Sequence, residues 1–291
     1  MKKLIILGFL AGIYAGKSIQ PYKNTTRMIV IGDLHGDFDA FMSILNFTNW
    51  KSEDLLLITG DTIDRGDDTI KILDFLIENS HKNIIHLLGN HEEMNIRGDW
   101  RYVSRGDLQS FRGSSARGQA FKKEGKYGKY LSDKKIIERI GDIVFMHGGI
   151  SLEIAEEYKT IENINFLYRT SNYDKKILYG SSGPLWYRGY ALEKERVICD
   201  DVVKTLKILE AEFMVMGHTI FQQITEKCNQ KAIFIDTGIS KALNSIRSAL
   251  EVIQVNNKTT RITAIYEDRS EIIFEKIDKE ENKIFRSNFD I

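Results

Sequence analysis

The sequence of 291 residues has few cysteines, no excess of charge of either sign and no apolar run long enough to span a membrane. Its two cysteines, Cys199 and Cys228, permit at most one intramolecular disulfide and do not identify a compartment. Basic and acidic residues number 41 each, so no overall field favours nucleic acid or a membrane surface. With 42% hydrophobic and 28% charged residues, the chain has the composition of a globular protein with a sizeable core.

The first residues have the layout of a secretory leader. Two lysines precede an apolar stretch from Leu4 to about Tyr14, and small residues near Ala15 fit a cleavage site. We expect a signal peptide over residues 1–20, and a protein of the secretory pathway or a secreted protein. The alternative is that residues 4–9 form a buried strand and that the protein is cytoplasmic.

Six short apolar runs each stop at a glycine-containing motif with a metal-ligand or acid–base side chain. Runs of this length between breakers predict buried strands. In chain order they are Met28–Ile31 before GDLHGD, Leu55–Ile58 before GDTIDRGD, Ile84–Leu88 before GNHE, Ile143–Met146 before HGGI, Phe213–Met216 before GHT, and Ile233–Ile235 before DTG. Because open α/β sheets bind ligands at the carboxyl ends of their strands, we expect these motifs to share one crevice.

Helical apolar spacing over residues 37–48 and 68–79 separates the first three runs, and this alternation predicts an α/β fold. A further helix is expected over 200–212, and alternating strands are expected from Ala249 onward. The expected organisation is a catalytic domain over 25–268, with insertions at about 92–140 and 151–200, and a charged tail over 269–291.

The first insertion carries an uneven share of the charge. Between Arg97 and Lys135 there are eleven lysines and arginines against four aspartates and glutamates, a local excess of +7. One interpretation is a solvated helical surface. The other is a basic lid that attracts an anionic substrate to the crevice. The sequence leaves both open.

The side chains at the run ends are carboxylates, imidazoles and one carboxamide, without a thiolate. Such mixed oxygen and nitrogen donors suit Mn²⁺, Fe or Zn²⁺ and do not exclude Mg²⁺. The candidate ligands are Asp33, His35 and Asp61 for one ion, and Asp61, Asn90, His147 and His218 for the second. Two ions bridged by one carboxylate, about 3.5–4 Å apart, can clamp both oxygens of a phosphoryl displacement and activate a water at neutral pH.

His91 lies next to a candidate ligand and has a different expected role. An imidazole can protonate a departing alkoxide or phenoxide. Asp64 would accept the other ring N–H and fix the tautomer. Arg65 and Arg188 offer planar guanidinium groups that match phosphate oxygens.

Other polar residues are not assigned to the site. We expect His86 to be a core residue and His81 to lie in a loop. The two cysteines lie outside every motif and are interpreted as buried thiols. Asp236 and Thr237, in the IDTG motif, either support the ligands from behind or belong only to a turn.

Five of these motifs, in this order and spacing, resemble the phosphoprotein phosphatase superfamily of dinuclear metallophosphatases. They are GDLHG (32–36), GDTIDRG (60–66), GNHE (89–92), HGG (147–149) and GHT (217–219). Within the superfamily the sequence is most similar to the Shewanella-like protein phosphatases, through GNHEEMNIRGDWRYVS (89–104) and GPLWYRGY (183–190). The resemblance covers about residues 27–240.

The resemblance implies a central β-sandwich flanked by α-helices, with the active site at the carboxyl ends of the strands. It implies the ligand set given above, His91 with Asp64 as the acid and its partner, and Arg65 as a phosphate ligand. Arg188 as a second phosphate ligand rests on the subgroup stretch alone. Two divalent ions, most often Mn²⁺, would be the cofactors.

The implied function is hydrolysis of phosphate monoesters on a phosphorylated protein or peptide. Thr62-Ile63 stand where many relatives have Tyr-Val, and a segment like SAPNYC of eukaryotic serine/threonine phosphatases is missing, so phosphotyrosine and phosphoserine/phosphothreonine both stay open. One alternative is a dinucleoside tetraphosphate hydrolase on the same site, and another is a catalytically inactive binding module. No nucleic-acid partner and no stable membrane span are expected.

Overall fold

Within residues 27–170 and 180–276, which a computed structural model of the chain describes, eleven strands form two sheets. The strands are β1 (Arg27–Ile31), β2 (Leu55–Ile58), β3 (Ile84–His86), β4 (Ile137–Ile140), β5 (Ile143–Met146), β6 (Phe213–Met216), β7 (Thr225–Lys227), β8 (Ala232–Phe234), β9 (Ser248–Val255), β10 (Lys258–Tyr266) and β11 (Ser270–Glu275). The leader predicted over residues 1–20 lies outside the described residues, as does most of the predicted tail.

Ten helices in the same described ranges surround the sheets. They are α1 (Phe38–Phe47), α2 (Thr69–Glu78), α3 (Asn90–Ile96), α4 (Arg105–Ser110), α5 (Ser114–Phe121), α6 (Lys126–Ser132), α7 (Leu152–Tyr158), α8 (Ile161–Arg169), α9 (Gly189–Leu192) and α10 (Glu195–Ile208). None of these described helices has the length and apolarity needed to cross a membrane.

Parallel pairing brings the carboxyl ends of the predicted strands together. The first sheet has the order β11-β10-β9-β1-β2-β3, in which β1, β2 and β3 are parallel. The second has the order β4-β5-β6-β8-β7, in which β5, β6 and β8 are parallel. All six runs predicted from the sequence are therefore strands of these two parallel sets, and the motifs follow their carboxyl ends.

The two sheets pack face to face, which explains why the runs are apolar throughout. In β1, Val30 belongs to the apolar cluster between the sheets, whereas Ile29 packs on the opposite face with α1 and α2. In β5, Phe145 points into the same inter-sheet cluster and Val144 packs with the helices that cover the second sheet. In a strand with two buried faces, successive side chains point to opposite faces of the sheet, but all of them are apolar. The predicted α/β fold with a central sandwich is confirmed.

Several boundaries differ from the sequence-based expectation. Helix α10 extends over Glu195–Ile208, whereas the sequence predicted a helix over residues 200–212. The strand β4 was not predicted, and it pairs antiparallel with β5 at the edge of the second sheet. The three predicted strands after Ala249 are present as β9, β10 and β11. The last of them pairs with β10, so the sheet continues beyond residue 268.

The two cysteines are joined, so the expectation of two buried thiols is wrong. Cys199 on α10 forms a disulfide with Cys228, which follows β7, and their Cα atoms are 5.2 Å apart. The same region is held by Lys227, whose Nζ donates to the carbonyl of Glu193 at 2.9 Å. The backbone N–H of Cys228 also donates to the Glu195 carboxylate at 2.6 Å. These contacts connect the start of α10 to the hairpin of β7 and β8.

Replacing both cysteines with serine is expected to lower the free energy of unfolding by about 2–4 kcal/mol. The reason is that the disulfide joins residues 29 positions apart and so restricts the conformations of the unfolded chain. Denaturant unfolding would measure the change. A reductant should destabilise the wild-type protein by a similar amount and leave the double variant unchanged. Equal stability of the two proteins would contradict the expectation.

Candidate functional site

The predicted ligand motifs lie together at one end of the sandwich and surround a cavity of about 350 Å³. The segments after β1, β2 and β3 bring seven of the predicted residues, and the loops after β5 and β6 bring His147 and His218. The cavity is lined by His35, Asp61, Arg65, Asn90, His91, Tyr102, Trp186, Arg188, His218, Thr219, Ile220 and Asp236. Asp33 and His147 are buried behind this lining. The structure thus brings every predicted site residue to one place.

Several of these residues have left-handed backbone conformations, which side chains other than glycine rarely adopt. The φ angles are 43° at His35, 48° at Asp61, 67° at Asp64, 63° at Arg65 and 65° at His218. Such conformations cost on the order of 1–3 kcal/mol each and persist where the surroundings fix them, typically at active sites. The turns after β1, β2 and β6 therefore aim these side chains at the cavity at the expense of local strain.

The buried carboxylate of Glu92 holds the loops after β2 and β3 together. It accepts hydrogen bonds from the backbone N–H groups of Asp61 at 2.9 Å, of Thr62 at 2.7 Å and of Gly89 at 2.9 Å. The loops approach so closely that a Cβ atom on Gly89 would collide with the Asp61 carboxylate. In addition, the backbone N–H of His91 donates to Asp61 Oδ1 at 2.9 Å. The position of Asp61 is thus determined by backbone contacts from both loops.

One group of potential ligand atoms surrounds the ring of His35. Its Nε2 lies 3.8 Å from Asp61 Oδ2 and 4.0 Å from Asp33 Oδ2. Its Nδ1 is within hydrogen-bonding distance, 3.2 Å, of the carbonyl of Ile63, which fixes the ring orientation. Both oxygens of Asp33 accept from the backbone N–H of His218 at 3.1 Å.

A second group surrounds His147. Its Nε2 lies 3.2 Å from Asp61 Oδ2, 2.9 Å from Asn90 Oδ1 and 3.0 Å from His218 Nδ1. A single ring N–H can serve only one of these lone-pair atoms, whereas a cation serves all of them at once. His147 Nδ1 and His218 Nε2 have no hydrogen-bond partner among the described residues. Asp61 Oδ2 is common to this group and to the His35 group, as a bridging ligand requires.

The charge states of these residues suit a divalent metal. Burial lowers the pKa of His35 to about 3, so that the ring is neutral and keeps a lone pair. Burial, together with the neighbouring His147 and Arg188, holds the pKa of His218 well below its usual value. Burial opposes ionisation of Asp61, but His147 and His91 outweigh it and hold the Asp61 pKa well below its usual range. Neutral imidazoles and an ionised carboxylate are the forms that bind metals.

Carboxylates are also crowded in the site. Burial and the nearby carboxylates of Asp236 and Asp61 raise the pKa of Asp33 well above its usual range. Burial raises the pKa of Asp236 to about 6, and its Oδ2 has no hydrogen-bond partner among the described residues. Like charges in a buried site repel each other unless a cation neutralises them. The residues present therefore fit divalent metal ions.

His91 is held by Asp64 on the side away from the metal ligands. His91 Nδ1 lies 2.9 Å from Asp64 Oδ2, and since the carboxylate only accepts, we assign the proton to Nδ1. Burial alone would lower the pKa of His91, but Asp61 and Asp64 raise it above its usual value. The ring of Tyr102 lies 4.9 Å from the His91 ring. The predicted pair of His91 and Asp64 is present with the expected geometry.

The two predicted arginines both line the cavity. Arg65 is exposed, and its guanidinium carbon lies 5.0 Å from the centre of the Tyr102 ring. Arg188 is also exposed, and its Nη1 donates to the His218 carbonyl at 2.7 Å and to Thr219 Oγ1 at 2.9 Å. Both cations thus border the space in front of the metal-ligand groups.

The sequence did not reveal all of the cavity. Tyr102 lines it and touches both His91 and Arg65, although no role in the site was predicted for it from the sequence. Asp236 lines it as well, in addition to forming a turn in which its Oδ1 accepts from Gly238 N–H. By contrast, His86 is buried at the end of β3 and His81 lies in an exposed turn, as expected.

The basic insertion does not form a charged wall. The structure describes all eleven lysines and arginines of residues 97–135, and none of them lines the cavity. The segment is helical over α4, α5 and α6. This arrangement favours the solvated-surface interpretation over the basic lid. Arg117 is the exception, since its side chain is fully buried.

Comparison with known proteins agrees with this geometry. Residues 26–221 match the family model of the calcineurin-like phosphoesterases. An uncharacterised protein of Schizosaccharomyces pombe is 31% identical over 274 residues, which cover 84% of this chain and 82% of the relative. Shewanella-like protein phosphatase 1 of Plasmodium berghei is 29% identical over 75% of this chain and 68% of its own length.

A solved structure shares the fold. The crystal structure of a cold-active protein-tyrosine phosphatase of a psychrophilic Shewanella species has a TM-score of 0.73 and 25% identity, over 86% of this chain and 81% of that chain. The resemblance to the Shewanella-like phosphatases inferred from the motifs is confirmed. Because the family model spans more than half of the residues, the chain belongs to the calcineurin-like phosphoesterase family and is a metallophosphatase.

Proposed function

We propose that the protein hydrolyses phosphate monoesters on phosphorylated proteins or peptides. It would use two divalent metal ions for this reaction, with Mn²⁺ preferred. The observation that carries this proposal is the position of Asp61 Oδ2, which is 3.8 Å from His35 Nε2 and 3.2 Å from His147 Nε2. One buried carboxylate oxygen shared by two groups of imidazoles is the arrangement of a dinuclear site.

The residues divide between the two ions as the motifs suggest. The first ion would be held by Asp33, His35 and Asp61, and the second by Asp61, Asn90, His147 and His218. Bound there, the ions would provide a nucleophilic water at neutral pH and neutralise charge on the phosphate oxygens. Mixed carboxylate, amide and imidazole donors without thiolate support Mn²⁺ over softer alternatives.

The chain's own residues account for substrate binding and for the proton. Arg65 and Arg188 border the cavity and would bind the oxygens of the phosphate that faces the ions. His91 lines the cavity, its Nδ1 is held by Asp64, and its Nε2, 3.8 Å from Asp61 Oδ2, would face the leaving group. Protonation of the departing oxygen by His91 would complete the hydrolysis.

Relatives that are named protein phosphatases support a phosphoprotein substrate. The matched Plasmodium protein and the Shewanella structure both carry that description, and each match covers three quarters or more of this chain. The alternative of a dinucleoside tetraphosphate hydrolase uses the same motifs and differs in what it binds outside them. A phosphopeptide therefore ranks first as the substrate, with phosphotyrosine and phosphoserine/phosphothreonine to be separated by assay.

Removing metal ions with a chelator is expected to lower the rate of phosphate release by more than about 10²-fold, because metal ions contribute several kcal/mol of transition-state stabilisation. Adding Mn²⁺ should restore the rate. The measurement is phosphate release from phosphotyrosine, phosphoserine and phosphothreonine peptides, with a dinucleoside tetraphosphate in parallel. Faster cleavage of the dinucleotide would overturn the substrate proposed here, and chelator-resistant turnover would overturn the metal dependence.

We further propose that residues 1–20 direct the chain into the secretory pathway. The disulfide between Cys199 and Cys228 supports this proposal, since disulfides persist mainly in oxidising compartments. Sequencing the N-terminus of the mature protein from its native cells tests it. A start near residue 17 is expected, and an intact leader on the mature protein would contradict it.

A further inference from the structure

Arg117 stands out among the residues of the basic insertion, because its charged side chain has no exposed surface. It lies on α5 and is the largest of the fully buried side chains among the described residues. Trp100 and Phe121 cover it, with its guanidinium carbon 5.7 Å and 4.5 Å from their ring centres. Burying an arginine is costly unless carboxylates compensate its charge, so this position calls for a specific partner.

The partners of Arg117 are two buried carboxylates and an amide. Its Nε donates to Asp107 Oδ2 at 2.9 Å, and its Nη2 donates to Asp64 Oδ1 at 3.1 Å. Its Nη1 donates to Asn95 Oδ1. Both ion pairs are inaccessible to solvent. Arg117 therefore connects the insertion to the loop after β2, across 53 positions of sequence.

Both oxygens of the Asp64 carboxylate have hydrogen-bond partners. Oδ1 accepts from Arg117, whereas Oδ2 accepts from Asn95 Nδ2 at 2.8 Å and faces His91 Nδ1 at 2.9 Å. Asn95 Nδ2 also donates to the His91 backbone carbonyl at 2.8 Å. A carboxylate bound on both oxygens cannot rotate away from the imidazole, so the tautomer and the tilt of the His91 ring are fixed.

We propose that Arg117 is a positioning residue that, through Asp64, holds His91 in the orientation needed to protonate the leaving group. This inference rests on the function proposed above, because it assumes that His91 supplies a proton. Arg117 does not line the cavity and so cannot bind the substrate phosphate. Its effect should therefore appear in kcat and depend on how much the leaving group needs a proton.

The test compares two aryl phosphates in the presence of Mn²⁺, phenyl phosphate and p-nitrophenyl phosphate. Phenoxide is the poorer leaving group and depends more on protonation. Arg117→Met is expected to lower kcat for phenyl phosphate by about 10–100-fold, the usual effect of losing the outer partner of an active-site group. The loss for p-nitrophenyl phosphate should be several-fold smaller, and KM should change little for either ester.

Three further variants separate positioning from general damage. Arg112→Met removes an exposed arginine of the same segment and should leave both rates unchanged. Arg117→Lys keeps the charge but loses the planar fork and should show a smaller selective loss. In an Asp64→Asn background, Arg117→Met should cause little additional loss, because the path through Asp64 is already broken. Metal content and thermal unfolding are measured for each variant.

The possible results separate this inference from the proposed function. A wild-type protein that hydrolyses neither ester with Mn²⁺ would overturn the proposed function. A wild-type protein that hydrolyses both, with an Arg117→Met variant that loses the same factor on both or nothing, would overturn only the role of Arg117. If Arg117→Met does not fold, Arg117→Lys decides, and an equal loss on both esters with unchanged metal content would overturn the role.

Discussion

Asp61→Asn is expected to abolish turnover and to lower the metal content of the purified protein. The substitution keeps the shape of the side chain but removes the charge of Asp61 Oδ2, the oxygen that both ligand groups share. Losing an outer partner of a ligand already costs about 10–100-fold in metal affinity, so losing the bridging ligand should cost more. Elemental analysis measures the metal content, and phosphate release at saturating Mn²⁺ measures the turnover.

The matched control is Asp39→Asn, which makes the same chemical change at an exposed position of α1. It should keep the wild-type metal content and rate. An Asp61→Asn protein with full activity and two bound ions would show that Asp61 is not the bridge. Partial recovery of activity at high Mn²⁺ would instead agree with a bridge whose affinity is weakened.

His91→Asn is expected to lower kcat by about 10²–10⁴-fold, the usual contribution of a positioned acid or base, while the metal content stays unchanged. The reason is that the buried ring of His91 is bound through Nδ1 to Asp64 and not to the groups around His147. The measurement combines kcat for a phosphopeptide with elemental analysis of the same sample. Substituting a metal ligand would instead lower the metal content together with the activity.

His81→Asn is the matched control, because His81 is an exposed histidine in a turn and does not line the cavity. It should have wild-type kcat. If His91→Asn loses metal as well as activity, then His91 acts as a ligand. The distance of 3.8 Å between His91 Nε2 and Asp61 Oδ2 would account for such a ligand role.

The sequence predicted the strands and the convergence of the motifs because both depend on simple local rules. A strand buried on two faces is apolar at every position, as in Leu55–Ile58, and a motif directly after it lies at its carboxyl end. Once β1, β2 and β3 are parallel, their ends must meet. The site residues therefore followed from order along the chain, without knowledge of the packing.

What the sequence did not reveal depends on contacts between distant segments. Arg117 is one of eleven cations in its segment, and only the tertiary structure shows that it faces Asp64. Tyr102 reaches the cavity because its backbone carbonyl accepts from Arg65 N–H at 2.9 Å, which no pattern encodes. The short strand β4 has two polar residues between two apolar ones and is too brief for a clear period.

The leader over residues 1–20 and the choice of metal stay predictions. Carboxylates in and around the site have three roles: as proposed metal ligands, as the partner of His91 and as partners of Arg117. These roles differ in whether the sequence predicted them. The geometry of the first two was anticipated from the motifs around Asp61 and Asp64. The third, at Asp107, emerged from the fold, since this residue lies in the insertion and pairs with Arg117 at 2.9 Å.

Neither sheet contains the complete set of proposed metal ligands, since His147 and His218 follow strands of the second sheet and the others follow strands of the first. The active site therefore exists only while the two sheets keep their mutual alignment, which the apolar cluster around Phe145 and Val30 maintains. A compact state that retained its strands but lost fixed side-chain packing would have no catalytic centre. Activity in this protein is consequently a measure of tertiary order, and not of secondary structure.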